Sequence, residues 1–103
     1  MKVALIISVY KNIIDLDVVL KSVEQQSVSD FITVISEDGD STIMADYVNY
    51  YSGKLALTHL TQEDKGWQKN KALNNAIRKI DADYFIFIDG DCVLHPNFIK
   101  NHL

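Results

Sequence analysis

Tyr84-Phe85-Ile86-Phe87-Ile88-Asp89-Gly90-Asp91 decides how this chain folds. Five apolar residues in a row read as a strand buried on both faces, and the run ends in two carboxylates separated by a glycine. Charged groups are costly beside a buried strand end. Their place there points to a divalent-cation site, because hard cations such as Mg²⁺ are held by one or two carboxylates plus substrate phosphates. Glycine lets the backbone turn sharply and lets a ligand approach closely. The plainer alternative is a loop in which one Asp caps a helix starting near Pro96.

Three further apolar runs precede this one, alternating with helical patterns. Val3–Val9 is rich in Val and Ile and predicts a buried first strand. Leu16, Val19, Leu20 and Val23 fall on one face of a helix over 15–26. Phe31–Ile35 predicts the second strand, delivering Ser36-Glu37-Asp38-Gly39-Asp40-Ser41 at its end. Met44, Tyr47, Val48 and Tyr51 form a second helical stripe, with Gly53 as its stop. Leu55–Leu60 is more mixed and predicts a third strand near a sheet edge. Leu73, Ala76, Ile77 and Ile80 form a third helical face, and Pro96 suits the first turn of a final helix. This alternation predicts an α/β fold, a Rossmann-like parallel sheet with βαβ connections and helices on both faces, in one domain over residues 1–103. Ligands of such sheets bind beyond the carboxyl ends of the strands. Ser8-Val9-Tyr10, the 37–40 acids, the 61–71 segment and Asp89-Gly90-Asp91 all fall there.

The bulk numbers exclude several classes. The chain has 103 residues, 48% hydrophobic and 23% charged, and a formal net charge of −4. That balance argues against a nucleic-acid partner, which requires clustered Lys and Arg. No apolar run approaches the roughly 18 residues of a membrane span. The apolar start is too short for a signal peptide and lacks a cleavage site. A single cysteine, Cys92, fits a reducing compartment and is expected to be a buried or half-buried thiol.

Within the rim, Asp38 is the better ligand candidate of its acidic cluster. As an acceptor it suits an N–H such as a pyrimidine imide, while Asp40 or Ser41 suits the cap of the next helix. Lys69 and Lys71 near a helix amino end favour an anionic diphosphate, against the alternative of a solvated turn. Trp67 is either a stacking platform or lid anchor, or a packing residue. His59, His95 and His102 are scattered, and none is assigned as a ligand.

Taken together, these segments resemble the amino-terminal half of a family 2 glycosyltransferase of GT-A fold. Ser8-Val9-Tyr10-Lys11-Asn12 is similar to the family's "hhhS-x-Y-N" opening, with Lys11 as an extra residue. Leu20-Lys21-Ser22-Val23-Glu24-Gln25-Gln26 resembles its "L-x-S-h-x-x-Q" helix. Glu37-Asp38-Gly39-Asp40-Ser41 resembles its "D-D-G-S" turn, and Asp89-Gly90-Asp91 its D-x-D motif. The family's Arg before Asn is Leu73 before Asn74. The segment 66–74 is closer to a subgroup carrying "G-[FW]-x-K-x-x-A-L-N", which favours Lys69 as a functional residue.

The resemblance implies a nucleotide-diphosphate-sugar donor site lined by Ser8, Val9, Tyr10, Asp38, Lys69, Asp89 and Gly90. Asp38 would bind a uracil-type ring, Asp89 the ribose or the metal's surroundings, and Asp91 would coordinate Mg²⁺ or Mn²⁺. It implies transfer, with inversion, from a UDP-sugar to a saccharide or lipid-linked acceptor in polysaccharide or glycolipid synthesis. The expected location is cytoplasmic, with the inner membrane face as a setting for the full-length enzyme. The catalytic base and the acceptor-side half are expected outside this truncated chain. An isolated chain would then be a nucleotide- and metal-binding module without turnover, and its uncovered apolar flank predicts homo-oligomers. A haloacid-dehalogenase-like phosphatase also opens on a strand and D-x-D, with the first Asp as nucleophile. There the motif begins the domain, whereas here it closes it.

Overall fold

The computed structural model describes residues 1–66 and 68–103, so the two readings of Trp67 lie outside the described residues. Four strands, β1 (Val3–Val9), β2 (Ile32–Glu37), β3 (Leu57–Leu60) and β4 (Tyr84–Asp89), alternate with four helices. These are α1 (Ile13–Glu24), α2 (Thr42–Tyr51), α3 (Lys69–Lys79) and α4 (Phe98–His102). The strands form one parallel sheet in the order β3-β2-β1-β4. β3 is therefore an edge strand, as its mixed composition predicts.

The order explains the layers. From β1 to β2 to β3 the chain moves in one direction, and α1 and α2 cover one face. It then reverses past β2 and β1 to reach β4. With constant crossover handedness, that reversal puts α3 on the opposite face. Alternate residues of β1 divide accordingly. Val3, Leu5, Ile7 and Val9 pack with Leu16, Val19 and Leu20 of α1, Met44 and Val48 of α2, and Ile99 of α4. Ala4 and Ile6 pack with Val34 of β2 and Ala76 of α3. Each fully buried Leu or Ile contributes about 1.5–3 kcal/mol through the surface it removes from water.

Local chemistry sets the helix starts. Asn12 Oδ1 accepts the Asp15 backbone N–H at 3.1 Å, so α1 begins two residues before the apolar stripe indicates. Ser41 Oγ accepts the Met44 N–H at 3.1 Å and caps α2. Two residues of the segment resembling the family's helix motif, Ser22 in α1 and Gln26 just past its end, clamp the carboxyl-terminal segment. Ser22 Oγ accepts the Leu94 N–H at 3.0 Å; Gln26 Oε1 accepts that of Ile99 at 3.0 Å and Gln26 Nε2 donates to the His95 carbonyl at 2.9 Å.

Five expectations are corrected. β3 begins at Leu57 and not at Leu55, and α4 opens at Phe98, so Pro96 precedes that helix and is not in its first turn. β2 starts one residue later than expected and runs on through Glu37, because residues 32–37 stay in register with β1. Glu37 is consequently a buried strand residue. Ile77 lies on the outer side of α3, which rests on the sheet through the small residues Ala72 and Ala76. Cys92 is exposed, since the turn after Asp91 carries it away from the core.

Candidate donor-binding cleft

The carboxyl ends of β1, β2 and β4 and the amino end of α3 enclose a cleft of about 410 Å³. The residues that the resemblance implies for donor and cation all line it, Ser8, Val9, Tyr10, Asp38, Lys69, Asp89, Gly90 and Asp91, whereas Lys71, the second lysine expected near the diphosphate, does not. Asn12, Asp15, Ser36 and Ala72 line it as well; the sequence places Asn12 and Ser36 at strand ends without a role, and Asp15 and Ala72 carry no signal there. Asn12 and Asp15 form the start of α1, where the Asn12 amide also donates to the Asp15 carboxylate at 2.8 Å. Ala72 is the small residue through which α3 sits close to the sheet.

The sheet fixes the floor by register. Ser8 pairs with Ser36 on one side and with Asp89 on the other, so one row of side chains runs from β2 through β1 to β4. At the end of that row the Gly90 N–H donates to the Ser8 carbonyl at 2.8 Å. A Cβ on Gly90 would lie 3.0 Å from that oxygen and 3.1 Å from Val9 Cγ1. The glycine is thus required by close approach of the protein's own backbone, a different reason from the ligand approach its motif brings to mind.

Asp38 is 4% exposed and engaged at both oxygens. Gln62 Nε2 donates to Oδ1 at 2.9 Å and the Gln68 backbone N–H donates to Oδ2 at 2.7 Å. Each carboxylate oxygen keeps a second lone pair for a ligand. Gln62 also donates to the Gln68 carbonyl at 3.1 Å, so Gln62, Gln68 and Asp38 are tied to one another just ahead of α3. Gly39 follows at φ +145°, a conformation that suits glycine, and its carbonyl accepts the Gln62 N–H.

Behind Asp38 lies a pairing the sequence did not reveal. Glu37 points to the α2 side of the sheet, with its Oε1 2.8 Å from His59 Nε2 and its Oε2 accepting the Ser41 N–H at 2.8 Å. Its side chain is 1% exposed. His59 and Glu37 are 22 residues apart, and only the pairing of β3 with β2 brings them together.

Across the mouth, Lys11 Nζ lies 3.1 Å from Asp64 Oδ2. The lysine ammonium, the Gly66 N–H and Tyr10 hold the Asp64 carboxyl below its ordinary value, and Asp64 raises Lys11 in return. Lys11 adopts φ 60°, the left-handed conformation an extra residue needs where the chain turns from β1 towards the Asn12 cap. On the α3 side, Lys69 Nζ donates to Asp89 Oδ1.

The donor set at the end of β4 fits a divalent cation. One ligand atom from each of Asp89, Asp91 and Cys92 can be chosen so that all lie within 4.8 Å of one another. The two carboxylates suit a hard ion, whose coordination would be completed by oxygens of a substrate. His95 takes no part; its Nδ1 accepts the Asn97 N–H in the turn before α4. Among the described residues, no helix is long and apolar enough to cross a membrane.

The sequence pattern of Glycosyl transferase family 2 matches residues 4–103. Validoxylamine A glucosyltransferase of Streptomyces hygroscopicus subsp. jinggangensis is 28% identical over 102 residues, covering 97% of this chain and 24% of that protein. Hyaluronan synthase of Pasteurella multocida is 24% identical over 81 residues, covering 79% of this chain and 8% of that protein. The chain therefore spans about a quarter or less of the length of these curated relatives. Among solved structures, S. aureus TarS 1–349 in complex with UDP-GlcNAc superposes with TM-score 0.86 at 22% identity, covering 99% of this chain and 30% of that one. The mannosyltransferase PcManGT from Pyrobaculum calidifontis, solved with GDP-Man and Mn²⁺, gives TM-score 0.83 at 21% identity, covering 96% and 30%. These likenesses show the GT-A fold.

Proposed function

The chain belongs to glycosyl transferase family 2, and from that premise we propose that it is the donor-binding domain of an enzyme transferring sugar from a nucleotide diphosphate to an acceptor hydroxyl. One observation carries this reading: residues from four separate segments, each expected to touch the donor, line a single cleft. Ser8, Val9 and Tyr10 form the wall for the nucleoside, and Asp38 accepts the imide N–H of a uracil-type ring. Asp89 faces the ribose and the cation, with Gly90 bringing it against β1. Lys69, at the amino end of α3, meets the diphosphate, where the helix dipole also favours negative charge. The UDP-GlcNAc and UDP complexes of TarS support a uridine donor.

Asp91 and Asp89 are the residues that would hold Mg²⁺ or Mn²⁺. Bound there, such an ion would neutralise charge developing on the departing nucleoside diphosphate. The Mn²⁺ of the mannosyltransferase complex supports that assignment. Lys69 already neutralises Asp89, so the cleft keeps a balanced carboxylate when no ion is bound. In the full reaction an acceptor hydroxyl, deprotonated by a general base, attacks the anomeric carbon in line and inverts it. No residue of this chain is assigned as that base. The acceptor is a saccharide or lipid-linked sugar in polysaccharide or glycolipid synthesis, on the cytoplasmic side. Partly exposed Tyr84 and Phe87 on the free edge strand β4 favour self-association of the chain.

Calorimetric titration of UDP in the presence of Mn²⁺ tests the reading. Native chain is expected to bind only with the metal, and Asp91→Ala to lose that metal-dependent binding. Equal binding with and without Mn²⁺ would remove the metal assignment; no binding by the native chain would remove the donor site.

A further inference from the structure

We propose that Ser36 reads the base: its hydroxyl, beside the Asp38 carboxylate, selects a uracil-type ring over cytosine. This rests on the reading of the cleft as a nucleotide-sugar site. Ser36 is 2% exposed, and its Oγ has no hydrogen-bond partner among the described residues. Buried hydroxyls are rarely left unpaired, because an unmet donor is destabilising. An alanine or valine would fill the same strand position without that penalty. The hydroxyl is also well placed. Ser36 shares its row with Ser8 and Asp89, and all three line the cleft.

Asp38 follows two residues later and continues the ladder, its N–H donating to the Val9 carbonyl at 3.0 Å. Residues two apart on an extended segment face the same side, so hydroxyl and carboxylate are neighbours on the cleft floor. The carboxylate already accepts one N–H at each oxygen, from Gln62 and Gln68. Uracil presents a single imide N–H flanked by carbonyl oxygens. Cytosine presents an amine beside an unprotonated ring nitrogen. An acceptor for the N–H next to a hydroxyl that donates to the flanking carbonyl matches uracil in polarity and in order. Sites built to hydrogen-bond a substrate group discriminate strongly against analogues lacking it.

The experiment is titration calorimetry of UDP, CDP and GDP into the chain with Mn²⁺, for the native sequence and Ser36→Ala, with thermal unfolding of both. The native chain is expected to prefer UDP. Ser36→Ala is expected to weaken UDP about five- to tenfold, the worth of one net hydrogen bond, and to leave CDP binding unchanged, so the UDP/CDP ratio falls. Its unfolding midpoint is expected to hold or rise, because an unpaired buried hydroxyl has been removed. UDP affinity and UDP/CDP ratio both unchanged in Ser36→Ala would overturn the role of Ser36 and leave the nucleotide site standing. A native preference for GDP or CDP would overturn the uracil assignment. If no nucleoside diphosphate binds the native chain, the donor-site reading fails and the inference with it.

Discussion

Replacing Glu37 with alanine should cost far more than an ordinary polar-to-alanine change, although Glu37 touches no ligand in the proposed function. Its carboxylate accepts from Ser41 N at 2.8 Å and lies 2.8 Å from His59 Nε2, with the side chain 1% exposed. The alanine variant strands the N–H of the α2 cap residue and a His59 ring that is 84% covered (16% exposed). Hydrogen bonds to a carboxylate contribute about 1.5–3 kcal/mol each, and the variant loses two of them. Relief of the carboxylate's own desolvation offsets part of this. A net loss of about 3 kcal/mol is expected for Glu37→Ala. Glu37→Gln keeps the shape and an acceptor for Ser41, and should lose about 1 kcal/mol. Urea unfolding followed by far-ultraviolet circular dichroism measures both. With a slope of about 1–3 kcal/mol per molar, the alanine midpoint should fall by about 1–3 M. An alanine variant within about 0.3 M of native would refute the reasoning. It would mean that apolar packing alone holds the end of β2, and that Glu37 and His59 merely break even against water.

Three other outcomes follow from the same geometry. Gly90→Ala forces a methyl against the Ser8 carbonyl at 3.0 Å and should destabilise by about 1–3 kcal/mol; an unchanged midpoint would show that the turn gives way freely. Tyr47 Oη donates to Asp17 Oδ1 at 2.7 Å, and this bond, with Lys21, holds the Asp17 carboxyl below its ordinary 3.8. A depressed folded-state value stabilises fully above the unfolded value and is lost as pH falls through the folded one. Tyr47→Phe should therefore be less stable than native at pH 7 by a margin that shrinks below pH 3.8, and a margin constant down to pH 2 would contradict this. Sedimentation velocity should show concentration-dependent association through the β4 edge, and a clean monomer at about 0.1 mM would rule that out.

The sheet was legible because its strands are contiguous Val, Ile and Phe runs, buried and paired, where periodicity leaves little choice. The cleft was legible for a related reason. Polar groups at strand ends have to converge on one rim once the sheet is parallel, so Ser8, Asp38 and Asp89 could be placed together from spacing alone. What escaped the sequence depends on contacts between distant residues. Nothing local to Glu37 announces His59, and nothing local to Asp38 announces Gln62. The sequence puts Ser36 at the end of its strand without a role; only its register with Ser8 shows it on the cleft floor. Ile77 fitted the helical stripe by spacing, but α3 meets the sheet through two alanines, too narrow a contact to cover it. Cys92 was placed inside on residue type, and the turn after Asp91 decided otherwise.

The pairing of β1 with β4 joins the first strand of the sheet to its last. During synthesis β1 emerges first and finds β2 soon after, but its other edge stays unmatched until residue 89 has left the ribosome. One half of the cleft, Ser8 and Asp38, can therefore exist in a chain that has not yet acquired the other, Asp89 and Asp91. Completion of the site reports that the longest-range closure in the sheet has occurred. A molecule that grips both halves acts as a brace across that seam, so binding and docking of the final strand share one equilibrium.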